Sequence, residues 1–146
     1  MATTSGTIRD TTAETVGLAL ARSARRLRQQ AGAELSPSRA AVLSTIARHG
    51  PLTPSALAGL ERLSRPTITR LISKLEADGL VDRVQDPGDG RSCLISLSAD
   101  GSALRALRRA RKHAYVARLL APADDAELAL IAEAAALLLQ LLDGDA

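Results

Sequence analysis

Apolar positions along the 146-residue chain follow helical spacing almost everywhere and alternate in only one short stretch. Between Ser64 and Asp78, Ile68, Leu71, Ile72 and Leu75 recur at i, i+3, i+4 and i+7, which predicts a helix with one apolar stripe turned to a core. Ser64 offers a side-chain cap with Pro66 in the first turn, and Asp78-Gly79 supplies a residue tolerant of positive φ at the other end. Upstream, Thr53-Pro54 caps a short helix through TPSALAGL. Ser36-Pro37 starts another, which turns Val42, Leu43 and Ile46 inward and stops at Gly50-Pro51. After Gly79 the period changes. Val81-Asp82-Arg83-Val84-Gln85 and Cys93-Leu94-Ile95-Ser96-Leu97 flank the breaker-rich loop DPGDGRS, so the pair reads as a β-hairpin.

The flanks read as helix. The first helix is expected from about Asp10 to Ala31, with Val16, Leu20, Leu27 and Ala31 on one side, after a short polar stretch expected to fray. Ser98 caps a long helix ending near Ala121-Pro122, and Asp124 with Glu127 forms a capping box for the last one. That last helix carries Leu128, Leu130, Ile131, Leu137, Leu138, Leu139, Leu141 and Leu142 round most of its circumference, so it must be covered on several sides.

At roughly 100° per residue, the face of the 64–78 helix opposite its apolar stripe carries Pro66, Thr69, Arg70 and Ser73, with Lys74 on the flank. Arg can hold guanine O6 and N7 together, Thr and Ser can bond base edges or phosphates, and Pro can touch a thymine methyl. Arg91 stands at the end of the hairpin loop, where a basic side chain on a thin projection reaches a phosphate or the minor groove. A solvated helix would also be polar here, and an ordinary turn would pair Arg91 with Asp86 or Asp89. The succession of short helix, turn, second helix and basic hairpin within one unit favours a helix laid in a DNA groove.

The run TPSALA…LSRPTITRLISKLEADGLVDR, with Asp89 and Arg91 in the loop leading into CLISLS, resembles the winged helix of the MarR family of bacterial transcription regulators. The flanking helices match that family's pattern over nearly the whole chain. The resemblance implies a mainly α fold with a small β-hairpin wing, a single domain over 1–146. Within it, a winged helix-turn-helix at 36–97 carries DNA binding, and helices at 10–31 and 98–142 form the dimerisation part. It also implies a homodimer on a pseudo-palindromic operator in double-stranded DNA, often a repressor, released by a small aromatic or lipophilic ligand or by oxidation. Carried over by position, Ser64, Arg65, Pro66, Thr67, Thr69 and Arg70 fall in the DNA-reading helix and Arg91 on the wing, while Ser73 and Lys74 extend the same outward face. Gly90 stands where many relatives carry a second Arg, which leaves this wing less cationic.

A chain of this length buries one core and has no room for a separate catalytic module. Its formal charge is only +3, but 18 of the 19 basic residues lie between Arg22 and Arg118, whereas Asp124 to Asp145 holds six acids and no Lys or Arg. The two regions are therefore expected to meet different partners. Arg105, Arg108, Arg109, Arg111 and Lys112 span several faces of their helix and are expected to be solvated or paired with acids such as those of the last helix. Arg22 and Arg26, at i, i+4 on a helix rich in Ala and Leu, are the candidates for holding an effector carboxylate. A lone winged helix cannot cover the last helix. The terminal helices are thus expected to pack on a second copy, giving the two-fold symmetry a palindrome requires, with an intramolecular bundle as the alternative.

Catalysis finds little support. His49 and His113 have no second ligand at metal spacing, and the chain has no phosphate-cradling glycine loop, GxSxG elbow or HExxH pair, so neither metal nor cofactor is expected. Cys93 shares a strand face with Ile95 and Leu97 and reads as a half-buried hydrophobe rather than a redox sensor. As the single cysteine it excludes an internal disulfide, and with no secretory signal pattern or long apolar run the expectation is a cytoplasmic protein with no membrane partner. The rival class is a winged helix used for protein docking or for non-specific nucleic-acid binding. Tyr115 is the only aromatic residue, which disfavours single-strand and RNA binding. Protein docking would not need Thr69 and Arg70 beside a wing Arg.

Overall fold

The computed structural model describes residues 3–144. They form α1 (Thr3–Gln30), α2 (Pro37–His49), α3 (Pro54–Glu61), α4 (Arg65–Ala77), β1 (Val81–Asp86), β2 (Asp89–Leu97), α5 (Ala99–Leu120) and α6 (Asp125–Gly144). The chain divides into two compact units, up to Lys112 and from His113 onward, with the boundary inside α5.

Local chemistry sets the helix starts. Ser36, Thr53 and Ser64 are extended in φ and ψ, and their side chains accept the N–H of Arg39, Ala56 and Thr67, each with a proline in the first two helical positions. In the second unit the capping box is reciprocal: Asp124 Oδ1 accepts the Glu127 N–H at 2.8 Å, and Glu127 Oε2 accepts the Asp124 N–H at 3.0 Å.

The core of the first unit is built from Val42, Leu43 and Ile46 of α2, Leu57 and Ala58 of α3, Ile68, Ile72 and Leu75 of α4, and Leu80, Val81 and Ile95 at the base of the hairpin. Full burial of each large side chain stabilises by about 1.5–3 kcal/mol against leaving it in water. Around this core, Arg39 pairs with Asp78 beyond the end of α4, Arg65 donates to Ser55 of α3, and Thr45 of α2 donates to Glu61 of α3. Surface pairs of this kind contribute about 0–1 kcal/mol each, so the apolar stripe holds α4 and the polar links set its register.

β1 and β2 are antiparallel, with Val81 opposite Leu97 and Arg83 opposite Ile95. The register shifts between Gln85, opposite Cys93, and Asp86, opposite Asp89, which leaves Gly90, Arg91 and Ser92 outside the ladder. On the other side of β2, Leu52 exchanges backbone hydrogen bonds of 3.1 and 2.8 Å with Ile95 and acts as a short third strand, while among the described residues no strand pairs with the outer edge of β1.

Three expectations need correction. α1 begins at Thr3 rather than near Asp10, and within it the Thr11 and Thr15 hydroxyls donate to the carbonyls of Thr7 and Thr11. Of its expected inward positions Ala31 is buried and Val16 and Leu27 are half-buried, but Leu20 is exposed. The third correction concerns the acid that pairs the basic cluster of α5. Arg108, 9% exposed, donates to Gly32 O at 2.9 Å and Glu34 Oε2 at 3.5 Å, and Arg111 donates to Ala31 O at 3.3 Å and Glu34 Oε1 at 2.5 Å. The pairing acid is thus Glu34 in the α1–α2 loop. The Arg111 hydrogen bond, above all, holds the Glu34 carboxyl below its ordinary range.

A second junction ties α5 to the end of α4. Ser98 donates its N–H to Leu80 O at 3.2 Å and its hydroxyl to Gly79 O at 2.6 Å, while its Oγ accepts the Gly101 N–H at 2.9 Å. Gly101 is buried against the backbone of Leu80.

Candidate DNA-binding interface

α4 divides cleanly into two faces. Ile68, Ile72 and Leu75 are buried and Leu71 is half-buried, whereas Pro66, Thr69, Arg70, Ser73 and Lys74 are exposed. Thr69, Arg70, Ser73 and Lys74 make no side-chain hydrogen bond or ion pair to other described residues, so their donors and acceptors are available to a ligand.

The other expected contacts are engaged locally. Ser64 caps the helix through the Thr67 N–H and lies 2.9 Å from the Thr67 hydroxyl, which is itself half-buried. The Arg65 guanidinium bonds Ser55 and ties the first turn of α4 to that of α3. Arg91 lies by its backbone in the part of β2 outside the ladder, and its side chain falls outside the described residues.

Two contributors have no periodic signal in the sequence. Arg83 of β1 donates its Nε to both carboxylate oxygens of Glu76 at 3.0 Å and lies 3.5 Å through Nη1 from Cys93 Sγ, joining α4, β1 and β2. The Glu76 bond pushes the already high Arg83 pKa further up, so this brace stays charged at every physiological pH. Cys93 is half-buried against the core, in the role expected of it. The other contributor is Arg62, which has a left-handed backbone in the turn between α3 and α4, at φ 52° and ψ 40°.

Arg22 and Arg26 are exposed on α1, where they border a hollow of about 440 Å³ with Arg25 and Gln29. A second hollow of about 310 Å³ mixes cations with apolar wall: Arg28, Leu35, Pro37, Ala40, Arg108 and Lys112 all line it. Among the described residues, no cluster of three His, Cys, Asp or Glu side chains could hold a metal ion, and no helix is long and apolar enough to cross a membrane.

A short helix, a turn, a second helix with a free polar and cationic face, and a hairpin directly behind it define a winged-helix DNA-binding protein. The sequence profile of the MarR family matches residues 35–93. An uncharacterized HTH-type transcriptional regulator of Mycobacterium leprae is 41% identical over 133 residues, covering 90% of this chain and 92% of that protein. A solved transcriptional regulator from Pseudomonas aeruginosa superposes with a TM-score of 0.81 at 32% identity, over 90% of this chain and 94% of that one. The PcaV transcriptional regulator of Streptomyces coelicolor, solved in complex with its natural ligand, gives a TM-score of 0.59 at 25% identity, over 90% of this chain and 92% of that one. The chain belongs to the MarR family of transcriptional regulators, which are not enzymes; membership implies operator DNA and dimerisation.

Proposed function

We propose that this regulator is a cytoplasmic homodimeric repressor that reads a pseudo-palindromic operator with the 66–74 face of α4 and is released by a small aromatic or lipophilic effector. The observation that carries the reading is the division of α4 between a buried apolar stripe and an outer face whose Thr69, Arg70, Ser73 and Lys74 side chains have no partner among the described residues. Arg70 and Thr69 contact base edges, Ser73 and Lys74 contact base edges or phosphate, and Arg91 follows the backbone from the wing. Ser64, Arg65 and Thr67 set the depth and angle of the helix from its first turn.

Dimerisation through 10–31 and 98–142 is supported by α6, which has no buried residue and exposes Leu130, Leu137, Leu139, Leu141 and Leu142. An apolar face of this extent favours a partner over water. For the effector, Arg22 and Arg26 remain candidates, but the hollow bordered by Arg28, Arg108 and Lys112 supplies cations from α1 and α5 together with Leu35 and Pro37, and suits an amphipathic acid better.

A gel shift with the duplex upstream of the regulator's own gene tests the reading. A complex that survives excess random duplex and weakens in Arg70→Ala is expected. Binding that random duplex competes away equally would leave a non-specific or protein-docking module instead.

A further inference from the structure

Four described residues have positive φ: Gly32, Gly50, Gly79 and Arg62. Three are glycine, as the left-handed region demands of a residue with no Cβ to clash. The helix ends at Gly79 and Arg62 are built alike. At the end of α4, the Leu80 N–H bonds Leu75 O at 2.8 Å and the Gly79 N–H bonds Glu76 O at 2.9 Å. At the end of α3, the Leu63 N–H bonds Ala58 O at 3.0 Å and the Arg62 N–H bonds Gly59 O at 3.2 Å. Both are the same six-residue closure, in which the left-handed position favours glycine. One chain therefore solves the same backbone problem twice, and only in the turn before α4 does it carry a large cation there.

Packing gives no reason for the exception. Arg62 is exposed, and its guanidinium has no hydrogen bond or ion pair among the described residues. Its neighbour Arg65, by contrast, is tied to Ser55. When the second helix of such a unit lies in the groove, the first crosses the sugar–phosphate backbone, so the connecting turn sits at the groove's lip. There it precedes the N-terminus of the 13-residue α4, whose dipole also favours an anion.

Resting on the DNA-binding reading above, we infer that Arg62 is a phosphate-binding residue, kept in a strained left-handed conformation because a cation is needed at that point of the turn. It holds the backbone rather than reading bases, so its contribution is indifferent to sequence and sensitive to salt.

The test uses the full chain and a duplex enriched by the parent protein from a random-sequence pool. Arg62→Gly relieves the backbone, and its Tm is expected to equal the parent's or exceed it by up to about 4 °C. Its affinity is expected to fall about tenfold on both the enriched duplex and a scrambled one, with the slope of log K against log salt shallower by about one unit per half-site. Arg62→Ala loses the same affinity without the gain in Tm, and Arg62→Lys keeps the parent slope. An Arg62→Gly protein with parental affinity and salt slope, while Arg70→Ala still weakens binding, overturns this inference alone, as does a fall in Tm that places Arg62 in the packing. A parent that enriches no sequence overturns the DNA reading and this inference with it.

Discussion

Replacing Gly101 with Ala should destabilise the protein although it lies inside a helix, where the same change ordinarily helps. In isolation Ala is favoured over Gly in a helix by about 0.8–1.0 kcal/mol. A Cβ at residue 101, however, would stand 2.0 Å from Leu80 O and 3.0 Å from Leu80 C, both backbone atoms that no rotamer change can move. Restoring ordinary contact requires the start of α5 to retreat by roughly 1.3 Å. That retreat stretches the 3.2 Å bond from Ser98 N–H to Leu80 O and the 2.6 Å bond from the Ser98 hydroxyl to Gly79 O. Two weakened hydrogen bonds at about 1 kcal/mol each, with about 1–3 kcal/mol of overpacking, outweigh the propensity gain and leave a net loss of about 2–4 kcal/mol. At fixed protein concentration, thermal unfolding should show a Tm lower by roughly 4–16 °C. Gly59→Ala in α3 is the internal control, since a Cβ there meets nothing within 4 Å, and it should hold or raise the Tm. A Gly101→Ala protein as stable as Gly59→Ala would refute the close approach of α5 to Leu80.

Arg70→Ala should cost about 1–3 kcal/mol on the operator and relax base preference at one position per half-site, as read by quantitative binding to a set of single-base variants. The Glu34 carboxyl has a lowered folded-state pKa, so its stabilisation is complete above the unfolded value of 4.5 and is lost as pH falls through the folded value. Urea midpoints measured downward from pH 5 should therefore fall less steeply in Glu34→Gln than in the parent. Ser98→Ala should lower stability by about 1 kcal/mol through loss of the N-terminal cap of α5 and of the bond to Gly79, measured by urea unfolding. Removal of residues 128–146 should change the sedimentation of the protein from dimer to monomer or cause it to precipitate; a truncated chain that still sediments as a dimer would count against the α6 interface.

What was legible in the sequence was local. Ser36, Thr53, Ser64 and the Asp124–Glu127 box marked helix starts because a cap and its target N–H lie within three residues of each other. The stripe of Ile68, Ile72 and Leu75 fixed which face of α4 turned outward, and hence Thr69, Arg70, Ser73 and Lys74. Features set by distant partners were not legible. Burial of Arg108 depends on Glu34 and Gly32, more than seventy residues away, and the hydroxyl of Ser98 reaches the far end of α4. Leu52 joins the sheet through a single bridge, too short to carry an alternating pattern. At Arg62 the local signal misleads, because the residue that closes the α3 helix is not the glycine its backbone calls for. The polar start of α1 misled in the opposite sense, since the helix runs back to Thr3 through a stretch with no apolar stripe to announce it.

The open edge of β1 has a consequence for solubility. β2 is flanked by β1 on one side and by Leu52 on the other, so the N–H and C=O groups along the outer side of β1, which no strand among the described residues pairs, form a template for another strand. Val84 is 48% exposed on this short strand, and a concentrated protein or partly unfolded chains could add to it edge to edge. Asp82, Arg83 and Asp86 interrupt that surface with charge, and the register shift at Gln85–Asp86 bends the strand away from the flatness that stacking needs. These residues keep a projecting hairpin from becoming a seed, so neutralising Asp82 and Asp86 together would turn the wing into the chain's first site of aggregation.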